Sequence, residues 1–147
     1  MVLQAGAVLA GPGYIKLKTR MNKCVRTIFF ANSRDNAMPY FRLLELLTLE
    51  NIYKFKVAIF THKRTNDTSN DPAIFKGTLT QASEVHSYNT RFVSKHNFYR
   101  PRKNNSYGAA TFAFAGSKVW EKIPSKLKSL SYNNFYEQYK QYLLNTQ

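Results

Sequence analysis

Apolar residues recur at helical spacing in about five separate stretches of this chain, and one long segment, Gly77 to Ser106, lacks that period. From about Ile15 to Ala31 the repeating positions are Met21, Cys24, Val25, Ile28 and Phe29. Gly11-Pro12-Gly13 ahead of them is expected to break any structure begun earlier. After a polar break at Asn32–Asn36, Pro39 sits where the first turn of a helix tolerates a missing N–H, and Tyr40, Leu43, Leu44 and Leu47 supply a buried side. Thr48 can cap the next helix, which Leu49, Ile52, Tyr53, Val57, Ile59 and Phe60 carry to about Lys63, with Glu50 near the positive end of its dipole. Small residues pattern Tyr107 to Lys122 as a helix that Pro124 ends, and Ser125 can cap a short turn through Leu130. Ser131 then opens a last helix whose wide apolar face holds Tyr132, Phe135, Tyr136, Tyr139, Tyr142 and Leu143. The expected fold is therefore mainly α: a small bundle of about five helices, a long basic loop and a minor β-hairpin drawn from Arg91–Val93 and Asn97–Tyr99.

Charge constrains the partner as spacing constrains the fold. The net charge is +14, large for 147 residues, and a polyanion such as RNA or DNA is the natural complement. Between Glu84 and Glu121 there is no acidic residue, while Arg91, Lys95, Arg100, Arg102, Lys103 and Lys118 are interleaved with Tyr88, Phe92, Phe98, Tyr99, Tyr107 and Trp120. Guanidinium and ammonium groups neutralise phosphates, and exposed rings stack on bases. Pro101 keeps Arg100-Pro101-Arg102-Lys103 from being helical throughout, which holds these charges on an extended segment. On the first helix Lys16, Arg20 and Lys23 share the face opposite the apolar one. The candidate nucleic-acid-binding residues are thus Lys16, Arg20, Lys23, Arg91, Arg100, Arg102 and Lys103 for phosphates, with Phe98 or Tyr99 for stacking. Trp120, one turn before a helix-ending proline, is expected to be core.

The order of these parts resembles a known family. H-x-Y-x-T-R at His86–Arg91, an aromatic–x–P–R segment at Tyr99–Arg102, Y-G at Tyr107, and G-x-K-x-W-x-x-I-P from Gly116 to Pro124 follow one another as in the tail of non-LTR (LINE-like) retrotransposon polyproteins, beyond the reverse transcriptase domain. Met21 to Phe30 and Leu46 to Tyr53 look like helices that trail the polymerase core, and Phe135 to Leu144 fits as well, so the resemblance spans roughly residues 16–145. It implies a helical thumb-like segment at 15–76, a basic aromatic loop at 77–106 and C-terminal helices at 107–147, after a divergent, flexible start at 1–14.

The chemistry of such a polyprotein does not follow. A polymerase needs paired aspartates to clamp two metal ions, and the aspartates here, Asp35, Asp67 and Asp71, belong to no aromatic–x–Asp–Asp tetrad. Asn70-Asp71-Pro72 with Glu84 or Glu121 lacks the Glu-x-Lys of a nuclease. Cys24, His62, His86 and His96 are too scattered for a zinc knuckle, and His86, His96 and Lys95 make a weak case for metal-free RNA cleavage. The expectation is a non-enzyme with no cofactor and no bound metal, a nucleic-acid-binding fragment for RNA or single-stranded DNA. The alternatives are a functionless translated remnant of a mobile element, or a protein-interaction or self-associating module using the apolar face of the last helix. Cys24 as sole cysteine permits no internal disulfide, and no apolar run is long enough to span a membrane. An intracellular place, nucleus or cytoplasm, is expected, with no secretion and no membrane partner.

Overall fold

The computed structural model describes residues 12–66, 77–85, 87–100, 102 and 111–147. It is mainly helical. Among the described residues there are eight helices: α1 (Pro12–Ile28), α2 (Met38–Leu43), α3 (Leu49–Asn66), α4 (Ala82–Val85), α5 (Arg91–Ser94), α6 (Phe112–Glu121), α7 (Ser125–Lys128) and α8 (Tyr132–Thr146). The long helices answer to the periodic stretches of sequence; α4, α5 and α7 are single turns. The chain divides into two compact units, the described residues up to Phe55 together with Lys140–Gln147, and Lys56–Tyr139.

In the first unit, α1 begins at Pro12 rather than beyond Gly13. Proline is tolerated there because the first N–H of a helix has no intrahelical acceptor, and its fixed φ suits the first turn. Val25 from α1 packs with Ala37 and Phe41, and Met21, Tyr40 and Leu44 close over them. Phe29 turns inward and stacks on Tyr40, ring centroids 4.9 Å apart. Asn36 Oδ1 accepts the backbone N–H of Met38 at 3.0 Å, an Asx turn that launches α2. Thr48 Oγ1 accepts the N–H of Asn51 at 3.4 Å, the capping role its place in the sequence suggests. The side chain of Gln147 adds a second cap: its Oε1 accepts the N–H of Thr48 at 3.2 Å while its Nε2 donates to Leu46 O at 3.0 Å.

The second unit is built on aromatic rings. Trp120, Phe135 and His62 are fully buried, and His62 lies flat on Phe135 with centroids 4.1 Å apart and planes 11° from parallel. Phe135 in turn stacks on Tyr139 at 5.4 Å. Gly116 lets α6 approach α3: a Cβ there would sit 3.2 Å from Thr61 Oγ1 and 3.2 Å from the Phe112 ring. Trp120 is core, as its position before Pro124 suggests, and its indole N–H donates to His96 O at 2.9 Å.

The middle segment departs from the expected hairpin. Arg91–Val93 is not a strand but most of α5, because Thr90 Oγ1 accepts the N–H of Val93 at 3.3 Å and starts a helical turn. The expected pairing is not found among the described residues; the antiparallel bridge there joins Phe98 to Gln81 instead. Ser125 is the first residue of α7, not its cap; Pro124 occupies the capping position. The apolar face of α8 is narrower than the sequence pattern. Phe135, Tyr139 and Leu143 are buried, whereas Tyr132, Tyr136 and Tyr142 are exposed.

Candidate nucleic-acid interface

Helix α1 carries Lys16, Lys18, Arg20, Lys23 and Arg26 and no acidic residue. At 100° per residue Lys16, Arg20 and Lys23 fall within about 60° of arc and span about 10 Å of axis. All three are exposed, and among the described residues none of their side chains has an ion-pair or hydrogen-bond partner. Val25, nearly opposite, is what anchors the helix, so the basic face is turned outward by burial on the other side. Lys18 belongs elsewhere. It lines a cavity of about 380 Å³ with Tyr14, Asn22, Asn51 and Lys54, where Glu50 pairs with Lys54 at 2.7 Å. Burial, with the Glu50 carboxylate adding to it, pushes the Tyr14 phenol above its ordinary pKa. Arg26 is also withdrawn, its Nη1 donating to Ser33 O and so fixing the turn after α1.

The loop residues of the second unit have diverse fates. Arg91 is exposed on α5, and Arg102 is exposed as well. Arg100 is not free: its guanidinium pairs with Glu121 and lies 6.0 Å from the Phe114 ring. The acid-free interval of sequence is therefore answered in space by the carboxylate that ends it. Lys103 lies outside the described residues, as do His86, Asp67, Asp71 and Tyr107. Phe98, expected to stack on a base, is not open to one. It is 4% exposed, its ring packs 5.7 Å from Trp120, and its backbone is fixed in the bridge with Gln81. Tyr99, next along an extended chain, faces the other way and is 40% exposed, its N–H donating to Thr80 O at 2.8 Å.

Among the described residues of this unit two titratable groups are perturbed. His62 donates Nε2–H to Leu130 O at 2.9 Å and sits among rings, so burial holds its pKa below the ordinary histidine value while the Leu130 bond opposes. Burial also pulls Lys128 down to about 8, against the favourable Glu121 charge and with the Lys95 charge. The Lys128 ammonium donates to Asn97 Oδ1 at 2.8 Å and to Lys95 O at 3.2 Å, and lies 5.4 Å from the Trp120 ring. Its task is to hold the turn at residues 95–97 onto α7, which removes it from the cations open to a ligand.

Among the described residues no group of His, Cys, Asp and Glu side chains converges as a metal site would require. No helix among them is long and apolar enough to cross a membrane. Comparison with protein-family models, curated proteins and solved structures finds no match.

Phe30 is a further candidate, one that the charge pattern of the sequence does not single out. It follows Phe29 at the end of α1, is 97% exposed and has a left-handed backbone, φ 51°. The legible signal was the adjacency of two phenylalanines at the close of an amphipathic helix, since a single turn there cannot bury both.

Proposed function

We propose that this chain is a non-catalytic nucleic-acid-binding fragment, for RNA or single-stranded DNA. We propose further that it is related to the thumb and tail of a non-LTR retrotransposon reverse transcriptase. The order of motifs from His86 to Pro124 supports the kinship. The single observation that carries the binding reading is the outward face of α1, where Lys16, Arg20 and Lys23 stand exposed with no acid on the helix. Unpaired surface cations on one face, held by a rigid helix, attract a phosphate backbone and release its counterions on contact. Arg91 and Arg102 add charge in the second unit, and Tyr99 keeps an exposed ring.

The test is binding to a labelled single-stranded RNA over a salt series, with Lys16→Ala/Arg20→Ala/Lys23→Ala beside wild type. At about −0.7 per phosphate on a single strand, losing three contacts flattens the log–log slope by about two. Wild-type affinity no greater than that of an unrelated protein of equal charge would leave the remnant reading standing instead.

A further inference from the structure

We infer that Phe30 is a base-stacking residue, so that the α1 surface selects unpaired bases over duplex; this rests on the nucleic-acid reading above and specifies its ligand. Helix α1 closes with a pair of backbone bonds typical of a left-handed stop: Ala31 N–H donates to Arg26 O at 3.0 Å, and Phe30 N–H donates to Thr27 O at 3.1 Å. The residue at that stop is normally glycine, because a Cβ crowds the backbone in the left-handed region. Here it is a phenylalanine with φ 51°. An aromatic side chain in this position bears a conformational cost, and it recovers nothing by packing, since the ring is 97% exposed. Its neighbour Phe29, at the same turn, is half-buried and stacked on Tyr40. Strain and exposure at one residue, with no packing partner for the ring among the described residues, point to a ligand outside the molecule.

The turn is held, so the ring is presented rather than loose. Arg26 Nη1 donates to Ser33 O, Asn32 N–H donates to Asp35 Oδ2 at 2.9 Å, and Asp35 N–H donates to Asn32 O at 3.1 Å. Charge along the helix sorts the ligand. Lys16, Arg20 and Lys23 occupy its N-terminal and middle turns, where they meet phosphates. The C-terminal end carries the negative pole of the helix dipole, which disfavours phosphate and accepts a neutral ring. Leu17, Cys24 and Ile28 are exposed along one side of α1. A single strand can lay its phosphates on the cations and a base on the ring. A duplex encloses its bases and leaves the ring wet.

The experiment compares three labelled ligands at fixed salt: a short single-stranded RNA, the same strand annealed to its complement, and an abasic oligonucleotide of equal length. Wild type is compared with Phe30→Gly and Phe30→Trp. The expected result has two opposite signs in one variant. Phe30→Gly melts at a higher temperature, because the left-handed position is relieved, yet binds the single strand about fivefold to 150-fold more weakly. Its affinity for the abasic strand and the duplex is unchanged, and Phe30→Trp retains single-strand binding with quenching of the new fluorophore. Equal wild-type affinity for the single strand and the abasic strand, unmoved by Phe30→Gly, overturns the stacking role while the charge-based reading stands. Binding of none of the three ligands overturns the charge-based reading itself.

Discussion

Replacing Trp120 with alanine removes the largest fully buried side chain in the molecule. The indole is 1% exposed, touches Phe98, His62 and Phe135, and donates its N–H to His96 O at 2.9 Å. An aromatic side chain of this kind buries about 150–250 Å², worth about 4–6 kcal/mol at about 25 cal/mol per Å² relative to an extended chain. The lost hydrogen bond adds about 1 kcal/mol, and the Lys128 contact on the ring less than that. Partial collapse of the site and a compact unfolded state reduce the sum, so Trp120→Ala is expected to cost about 3–5 kcal/mol. That is a large share of the stability of a domain this size. Trp120→Phe keeps a ring in place and loses the N–H and part of the area, for about 1.5–2.5 kcal/mol. Urea denaturation followed by circular dichroism at the helical band measures both without relying on tryptophan fluorescence. A cost for Trp120→Ala below about 1.5 kcal/mol, or a Phe variant as damaged as the Ala variant, would refute the assignment of this ring as the packing centre of its unit.

Three further outcomes are expected. His62 is buried neutral among Phe135, Trp120, Tyr132 and Asn66. Its folded pKa lies below the unfolded value of about 6.5, so the stability it supports is present above that pH and is lost as pH falls toward the folded pKa. The unfolding free energy of wild type in urea should fall between neutral pH and pH ~5 more steeply than that of His62→Gln, with a limiting slope of about 1.4 kcal/mol per pH unit. Gly116→Leu places a side chain where a bare Cβ already meets Thr61 and Phe112 at 3.2 Å, and a loss of about 2 kcal/mol or more is expected in thermal unfolding. Glu121→Gln frees Arg100 from an exposed ion pair; stability should move by less than about 1 kcal/mol, while the salt slope for single-stranded RNA steepens by about 0.7 as one more phosphate contact becomes available.

Helices were legible because their signal is local. Apolar residues every three to four positions, Pro39 at a first turn and Thr48 ahead of Leu49 specify α1, α2 and α3 with no knowledge of neighbours. The outward basic face of α1 was legible for the same reason, since spacing along a helix determines which side chains share a side. Trp120 could be read as core from its place before Pro124. The segment around Arg91 could not be read locally, because four residues carry too little periodicity to separate a turn of helix from a strand, and the Thr90 cap decides it.

The amino-acid sequence by itself determined a mainly helical chain, strongly basic, with one run of cations on the first helix and another in one long acid-free loop. Only the tertiary structure decided which of those side chains remain open to a ligand. Phe98 and Tyr99 are adjacent and both aromatic, yet the bridge to Gln81 turns one into the core and leaves the other exposed. Arg100 stands in an acid-free interval of sequence and is still neutralised, because folding brings Glu121 to it across 21 residues. Phe30 looks like the last apolar residue of a helix and is in fact its most exposed ring, because the helix stops two residues earlier and the stop points that side chain outward. Spacing along the chain governs which residues share a face; contacts between distant residues govern which of those faces meets water.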